Sequence, residues 1–563
     1  MKKTLLCFVS LFLVAVMLFA CAPKTENTTP ATAPAASAND NKTEPSGSTE
    51  TQPASTQSDA TNQEASNPNV PKEGGILKIA QLANVNDYSW YGGLALRDNC
   101  SLSFCMESLL EYDQETGEIL PYLVEWYKMD EENMTLTMKA KEGIYFHDGS
   151  EFNAEVIKWC IEYYRDNSKY GTQYLGNVAE VNCLDDYTVE FKLSSQNIAL
   201  LFNLTNRAGM MYSKQAFDTY GVDYTYNHPV GTGPFMFKEW IEDEKVVYEK
   251  NPNYWNGPVY LDGVEVHIYN ESLVAQAAFE AKEIDVIYGE NFELAPASDL
   301  KAAGYHWQPY AKSEQLYVVG FNCQDEDDPF NDIRVRQAVC YAIDSETIND
   351  QCNYGFATLT NQWALPGSPY YNDEVKGFEY NVDKAKELMK EAGYENGFDT
   401  QITFKYNDNL LELATIIQGY LAKIGITVKL NRLESAAFVN KINDWDYGMI
   451  LHTATYEPAV TTKFKGMYAK TVLESTALAL GKGCFLHPDD LDAAVENAVQ
   501  SFTSADEQKY IREAQVLLQD KYVLWYPIFS LSDICFVQDY VKDWTYLDTG
   551  LFGEGSAHVW LDK

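Results

Sequence analysis

Hydrophobic residues alternate with polar ones in some stretches of the chain and recur every three to four residues in others. The alternation in "GGILKIAQL" at 74–82, and again from Thr135, predicts strands. After the turn "HDGS", apolar residues at helical spacing predict an amphipathic helix with Asn153 as its N-cap. The apolar face of this helix consists of Val156, Trp159, Cys160, Tyr163 and Tyr164. In "VNCLDDYTVEFKLSS", Asp185 and Asp186 predict the turn of a strand pair.

The second half of the chain switches between the two patterns. The stretch "DIRVRQAVCYAIDSETI" predicts a helix with Val335, Ala338, Val339, Ala342 and Ile343 on one face. In "NVDKAKELMKEAGY", Asn381 is expected to cap a helix and Gly393 to stop it. "ITFKYN", a helix through Ile424 and "GITVKLNRL" predict strand, helix and strand, and "AQVLLQDKYVLWYPIFSL" predicts a helix running into an apolar strand. This order is typical of an α/β fold.

Residues 1–20 have the pattern of a secretory signal peptide. Lys2 and Lys3 precede an apolar run that ends at Ala20. The stretch "LFAC" resembles the lipobox of bacterial lipoproteins, which implies a lipid-modified Cys21 that anchors the chain to the outer face of the cytoplasmic membrane. Residues 21–73 contain almost no large apolar side chains after Cys21, so burial cannot offset their chain entropy. We therefore expect a disordered tether.

Composition and charge narrow the function classes. The net charge of -40 argues against a nucleic-acid partner, because phosphate binding requires clustered Lys and Arg. The 563 residues predict two or more domains, since single cores stop growing near about 250 to 300 residues. Without a CxxC pair, "HExxH" or "GxSxG", we expect no direct metal cluster, no cofactor and no enzymatic activity. The pair His147 and Asp148 is typical of a turn between strands.

Six stretches of the chain together resemble the family 5 extracytoplasmic solute-binding proteins, the peptide and nickel receptors of ABC importers. In the family's order they are "ILPYLVEWYKMDEENMTLTMKAKEGIYFHDGSEFNAEVIKW", "PVGTGPFMFKEW", "NPNYWNGPVYLDGV", "KEIDVIYG", "FNDIRVRQAVCYAID" and "DKAKELMKEAGYENGF". The resemblance implies a two-lobed periplasmic-binding-protein-like α/β fold with a hinge between the lobes. It implies lobe I at 74–312 plus 528–563, lobe II at 313–527, and delivery of a bound solute to an ABC permease and its ATPase.

The resemblance also implies a ligand site around "GMILHTATYEP" in lobe II. Peptide-binding members hold the peptide's amino group with an aspartate before a "DP" turn, whereas this chain has His452 and no aspartate before Pro458. Nickel-chelate-binding members carry a histidine after "GMI" and an arginine ten residues before a phenylalanine, which Arg207 and Phe217 match. The implied clamp consists of Arg207 on a ligand carboxylate and His452 from the other lobe, with Tyr456 beside it.

Aromatic rings near the expected cleft would supply its apolar walls. The candidates are Trp90, Tyr91, Tyr174 and Trp363. Each ring could instead belong to a core, Arg207 could pair with an acid, and His452 could simply end a strand. The ligand stays open between a peptide or other small carboxylate-bearing solute, a metal chelate that His452 contacts, and an oligosaccharide. A surface sensor of the same fold is the alternative to a transport receptor.

Overall fold

A computed structural model describes residues 70–92, 101–113, 116–288, 292–323, 326–455, 460–461, 464–465, 486–544 and 555–563. The predicted signal peptide, Cys21 and nearly all of the predicted tether lie outside these ranges. Pro68–Lys563 is one compact unit. Its secondary structure mixes strands and helices along the whole length, as the patterning predicts.

The strands are β1 (Ile76–Gln81), β2 (Leu110–Tyr112), β3 (Ile119–Pro121), β4 (Val124–Asp130), β5 (Thr135–Ala140), β6 (Val178–Cys183), β7 (Thr188–Leu193), β8 (Phe235–Ile241), β9 (Lys245–Lys250), β10 (Gly263–Ile268), β11 (Val286–Ile287), β12 (His306–Phe321), β13 (Phe398–Lys405), β14 (Ile426–Leu433), β15 (Met449–Thr455), β16 (Trp525–Val537), β17 (Val541–Lys542) and β18 (Trp560–Leu561).

The helices are α1 (Ala154–Asn167), α2 (Gly171–Leu175), α3 (Ala199–Asn203), α4 (Lys214–Tyr220), α5 (Val222–Thr225), α6 (Ser272–Glu280), α7 (Leu294–Ala302), α8 (Ile333–Ala342), α9 (Ser345–Cys352), α10 (Val382–Glu391), α11 (Asp408–Ala422), α12 (Ser435–Asn443), α13 (Asp489–Val499), α14 (Ser504–Val516) and α15 (Gly555–His558). Short 3-10 turns cover Arg207–Gly209 and Pro329–Asn331, and a π turn covers Leu517–Lys521.

The largest sheet has ten strands in the order β14-β13-β15-β12-β16-β11-β1-β10-β9-β8. Strand β13 is parallel to both of its neighbours, and β1 is likewise parallel to β10 and β11. Between these two parallel groups, β12 and β16 run antiparallel to each other and join the halves of the sheet. A separate antiparallel sheet has the order β4-β5-β7-β6. The architecture is a mixed α/β fold in which two strands connect two sheet regions.

The capping residues named from the sequence begin their helices as expected. Asn153 accepts a hydrogen bond from the Val156 amide at the start of α1. The Asn381 side chain accepts a hydrogen bond from the Lys384 amide at the start of α10. Gly393 follows that helix with a φ of 86°. The predicted strand, helix and strand are β13, α11 and β14. These local predictions are therefore confirmed.

The apolar face of α1 is wider than its spacing predicts. Ile157 and Ile161 are buried together with Val156, Cys160 and Tyr164. The predicted members Trp159 and Tyr163 are only half-buried and pack on the edge of the core.

Hydrophobic cores lie on both faces of the sheet region β13–β15–β12. Alternate residues of β12 and β15 define the two faces. On one face lies what we call the second core. It contains Tyr317, Val319, Phe321, Met449 and Leu451 and is covered by α8, α10 and α11. The third core contains Leu316, Val318, Ile450 and Ala454, with residues of α12, α13 and α14 packed on it. The first core lies among β1, β4–β10 and α1.

Candidate functional site

Strands β12 and β16 pair antiparallel between His306 and Gly320, and their register is interrupted twice. One shift follows Tyr310, and the other lies between Tyr317 and Val318, opposite Pro527. Shifts of this kind bend and twist a strand pair locally. The sequence-based lobe crossings near 312 and 528 fall inside these two strands. The lobe boundaries themselves stay predictions.

The Arg207 side chain lies inside the protein, with 1% of its surface exposed. Its Nε and Nη2 donate to the Ser89 carbonyl oxygen at 3.2 and 2.5 Å, and Nη2 also donates to the Asp87 carbonyl oxygen at 3.0 Å. The guanidinium group therefore holds the backbone that leads into Trp90. Its contact with a ligand carboxylate stays a prediction, and so does its pairing with an acid.

Trp90 lies at the centre of an aromatic cluster in the first core. It is fully buried and stacks on Tyr212, with ring centroids 4.9 Å apart and 19° between the planes. Tyr91 contacts Trp90 edge to face at 5.0 Å and contacts Tyr163 at the same distance, and burial raises the pKa of the Tyr91 hydroxyl. Tyr174 of α2 is half-buried against this core. These contacts favour the core interpretation for Trp90.

His452 lies in the middle of β15 rather than at its end. It pairs with Val318 of β12, and its alternation with Ile450 places its ring on the face of the third core. The imidazole is 7% exposed and stacks on Phe438, with centroids 6.0 Å apart and 19° between the planes. The sheet register thus fixes the direction of the ring. The interpretation of His452 as a residue that ends a strand is therefore wrong.

Trp363 faces the same core as His452. Its ring meets the Trp525 ring edge to face at 5.9 Å and the Phe464 ring at 6.4 Å. Only 4% of Trp363 is exposed, and its indole Nε1 is buried with no hydrogen-bond acceptor within the described ranges. The indole Nε1 of Trp525 is in the same situation. Buried indole donors normally find a partner, so this donor has bonding capacity that a ligand oxygen could use.

Helix α14 holds the segment that carries Trp363. Gln515 accepts a hydrogen bond from the Ala364 amide at 2.9 Å and donates to the Tyr370 carbonyl oxygen at 2.7 Å. The Tyr370 hydroxyl donates to the buried Glu507 carboxyl group at 3.1 Å. Burial raises the pKa of Glu507 to about 7. The position of Trp363 therefore depends on polar groups inside the third core.

The sequence-predicted site residues fall into two groups. Arg207, Trp90, Tyr91 and Tyr174 lie at the first core, whereas His452 and Trp363 lie at the third core. Tyr456 lies outside the described residues. Sequence reasoning missed Glu507, although its signal is visible, since Glu507 shares the buried face of α14 with Ile511 and Ala514.

Glu107 is a second buried acid that sequence reasoning missed. Its Oε1 accepts hydrogen bonds from the hydroxyls of Tyr122 and Tyr254, each at 2.8 Å. Its Oε2 accepts from the Thr232 hydroxyl at 2.7 Å and from the Trp255 indole at 2.8 Å. Burial raises the pKa of this carboxyl group, while the four donors act in the opposite direction. Three of the family-like stretches therefore meet at one carboxylate, which makes this site structural.

The pair His147 and Asp148 serves a turn. Asp148 accepts hydrogen bonds from the Ser150 amide at 3.0 Å and from the Ser150 hydroxyl at 2.6 Å. His147 Nε2 lies 2.9 Å from the Gly233 carbonyl oxygen, and burial lowers the pKa of the imidazole to about 4. Both side chains are engaged by neighbouring backbone or hydroxyl groups, as the turn interpretation expects.

Several contacts join segments that the sequence assigns to different lobes, and Lys301 Nζ lies 4.4 Å from the centroid of the Phe356 ring. Gln196 Nε2 donates to the Ser501 carbonyl oxygen at 3.1 Å. Gly117 lies so close to Pro369 that a Cβ at this glycine would be 2.5 Å from Pro369 Cγ, and its φ is 71°. Lobe I residues thus touch lobe II residues away from the paired strands.

Among the described residues, no group of three His, Cys, Asp or Glu side chains converges on a metal position. No described helix combines the length and the hydropathy that a membrane crossing requires. Cys105, Cys160, Cys323, Cys340 and Cys535 are buried free thiols, which agrees with the place of Cys160 on the predicted apolar face of α1.

Comparison with known proteins matches this fold over most of the chain. Heme-binding protein A of Haemophilus influenzae is 24% identical over 458 residues, covering 76% of this chain and 82% of that protein. Glutathione-binding protein GsiB of Pectobacterium atrosepticum is 26% identical over 424 residues, covering 73% and 80%. The solved structure of the periplasmic binding protein DppA from Helicobacter pylori, in complex with the peptide STSA, superposes with a TM-score of 0.67 at 25% identity and covers 87% of this chain and 99% of that one.

The fold is that of a two-lobed periplasmic binding protein. The profile of the bacterial extracellular solute-binding proteins, family 5 Middle, matches residues 118–471. The chain belongs to this family, and its members are extracytoplasmic solute receptors of ABC importers. The family and fold expected from the sequence are therefore confirmed.

Proposed function

We propose that the protein captures a peptide or another small carboxylate-bearing solute between its lobes and delivers it to an ABC permease. The observation that supports this most is the pair of strands β12 and β16, which carries the sheet from one region to the other at two register shifts. A flexible strand pair lets two lobes close on a solute, and preferential binding to the closed form marks the loaded receptor. The protein acts as a receptor and not as an enzyme.

The ligand class is inferred from the chemistry at the two cores and from the relatives. The buried Trp363 indole offers a hydrogen bond to an acceptor atom such as a carbonyl or carboxylate oxygen. Glutathione and the peptide STSA, which the compared proteins bind, are peptides rich in such acceptors. The Arg207 guanidinium is the expected partner of a ligand carboxylate, in addition to its bonds with backbone carbonyls.

A metal-chelate receptor is the second candidate, and His452 is the feature that favours it. An imidazole at this position would contact a bound metal complex, since neutral histidine suits nickel and related metals. Its stacking on Phe438 holds the ring in one orientation. An oligosaccharide receptor would rely on Trp363 and its neighbouring rings and would not require Arg207. A surface sensor would bind the same solute without importing it.

Anchoring through a lipid on Cys21 completes the proposal. The anchor would hold the receptor at the outer face of the cytoplasmic membrane, with residues 22–73 as a spacer between lipid and lobes. Replacement of Cys21 by Ala should release the protein into the medium or the periplasm. Retention of the variant in the membrane fraction would contradict the anchor.

Native mass spectrometry of the purified receptor, combined with metal analysis, tests the ligand class. A co-purified peptide or carboxylate-bearing solute, released intact after incubation, supports the proposal. A stoichiometric metal supports the chelate receptor instead. A neutral sugar would contradict both, and hydrolysis of the bound peptide during incubation would contradict the assignment as a receptor without enzymatic activity. Loss of uptake of the identified solute on gene deletion separates transport from sensing.

A further inference from the structure

A cavity lies beside β16 where that strand faces the second core. Its volume is about 640 Å³, which is within the range of roughly 300 to 1,000 Å³ typical of small-molecule sites. Tyr526 and Ile528 of β16 line it and belong to the second core. Trp363 and His452 do not line this cavity, although its lining residue Tyr371 packs against the third core.

Aromatic rings form much of the cavity wall. They are Tyr371, Phe378, Tyr380 and Tyr526. Phe378 contacts Tyr526 edge to face, with centroids 6.3 Å apart and 75° between the planes. Tyr341 supports Phe378 from a second side at 5.0 Å and 86°. Phe378 and Tyr526 are therefore positioned by ring contacts.

All charged side chains that line the cavity are carboxylates. They are Asp344, Glu346 and Glu379, and no Lys, Arg or His is among the lining residues. Asp344 caps α9 by accepting hydrogen bonds from the Thr347 amide at 3.0 Å and the Thr347 hydroxyl at 2.8 Å. Glu346 and Glu379 form no ion pair within the described part of the chain. The cavity thus combines aromatic faces with uncompensated negative charge.

One of these rings already contacts an ammonium group. Lys423 Nζ lies 5.6 Å from the centroid of the Tyr380 ring and donates a hydrogen bond to its hydroxyl at 3.1 Å. Lys423 is not a lining residue, so it does not neutralise the cavity from within.

We propose that this cavity binds a small organic cation, an ammonium group on a short apolar or aromatic stem. The ring faces attract the cation through their quadrupoles, and the carboxylates supply the opposite charge. An anion would meet three like charges. The ligand of this cavity is therefore opposite in charge to the carboxylate-bearing solute inferred for the interlobe site, and the proposal does not depend on the identity of that solute.

Titration of the full chain with phenethylammonium chloride, followed by saturation-transfer NMR, tests the proposal. Phenylacetate and benzyl alcohol carry the same ring with negative and zero charge and serve as probes of the charge preference. We expect saturable binding of phenethylammonium and at least about tenfold weaker binding of the other two. Equal binding of phenylacetate, or no saturable binding of the ammonium probe, would overturn the proposal.

Substitutions of the lining acids test whether phenethylammonium binds in this cavity. Glu346→Gln combined with Glu379→Gln removes two exposed charges, so folding should be unaffected, and it should weaken phenethylammonium binding about tenfold. Glu374→Gln is the control, because Glu374 is an exposed acid of the same segment that does not line the cavity. Unchanged binding in the double variant, or equal loss in the control, rules out this cavity.

Discussion

Trp255 donates a hydrogen bond from its indole nitrogen to the Glu107 carboxylate at 2.8 Å, although the two residues are 148 positions apart in the chain. With the other three donors, Tyr122, Thr232 and Tyr254, this bond connects three separate segments of the first core to one side chain. Charge-assisted bonds to a carboxylate are stronger than neutral ones, and an unmatched buried donor carries its full desolvation cost.

Glu107→Gln should therefore lower the free energy of unfolding by roughly 2 to 4 kcal/mol. The amide nitrogen of glutamine would face two hydroxyl or indole donors in place of an acceptor. Urea unfolding measured by circular dichroism gives the difference. Glu118→Gln, at an exposed acid next to the same core, should change stability little. Equal stability of the two variants would mean that the four bonds contribute nothing net.

The pKa of Glu507, raised to about 7 from 4.5, makes stability depend on pH. An acid with a raised pKa in the folded state binds a proton more tightly there than in the unfolded chain. Its contribution is fully present below about pH 4.5 and is lost as the pH rises through about 7. At pH 8 the buried carboxylate then costs roughly 3 kcal/mol.

Glu507→Gln should consequently stabilise the protein at pH 8 and have little effect at pH 4.5. Thermal unfolding at several pH values measures both. Glu513→Gln, on the exposed side of the same helix, should follow the wild type at every pH. A Glu507→Gln curve parallel to that of the wild type would contradict the raised pKa.

Gly117→Ala should shift the receptor towards a more open form. The new methyl group would lie 2.5 Å from Pro369, across one of the contacts between the lobes. Gly143→Ala is the matched control, because Gly143 has a similar φ of 81° and no other atom within 4 Å of the place that a Cβ would take. Small-angle X-ray scattering should give a larger radius of gyration for Gly117→Ala alone. If Pro369→Ala does not restore the wild-type radius in the Gly117→Ala background, the contact is not responsible.

Trp363→Phe should weaken binding of the co-purified solute by about 0.5 to 1.5 kcal/mol without destabilising the empty protein. Phenylalanine keeps most of the ring but lacks the indole donor. Isothermal titration calorimetry and thermal unfolding separate the two effects. Trp525→Phe removes a second indole donor of this core that has no acceptor within the described residues, and shows whether the loss is particular to Trp363. A lower melting temperature without a change in affinity would assign Trp363 to packing alone.

Arg207→Ala should weaken binding of a carboxylate-bearing solute by about 1 to 3 kcal/mol. Because Arg207 also holds the Asp87 and Ser89 carbonyl groups, stability must be measured on the same variant. Comparison of the solute with its amide analogue isolates the carboxylate, since only the carboxylate should lose affinity in the variant. An equal loss for both ligands would assign Arg207 to positioning of the Trp90 segment.

Local features of the fold could be predicted from the sequence, whereas the pairing of distant residues could not. Asn153 and Asn381 cap helices within three residues of themselves, so their role is visible in a short stretch. Glu107 is bonded by residues that approach it only after folding. The direction of the His452 ring depends on the register of β15 with β12, which the motif around it does not reveal.

The aromatic candidates show the same limit. The sequence around a Trp or Tyr near an expected cleft looks the same whether the ring lines the cleft or is buried in a core. Trp90 is buried because the half-buried Tyr163 of α1 and the stacked Tyr212 cover it. The burial of Trp90 therefore depends on residues that are distant in the sequence. One of them is Cys160 of α1, 70 positions away, whose carbonyl oxygen lies 3.5 Å from the Trp90 indole nitrogen.

The pairing of β12 with β16 also has a mechanical consequence. Two strands that are paired on both sides of their irregular points act as a ribbon, which resists sliding and stretching but allows twisting and bending at those points. We expect closure to follow one preferred rotation, with the register shifts beside Tyr310 and Pro527 as the compliant points. Substitutions that regularise the ribbon there would slow opening and closing and leave the architecture of each lobe intact.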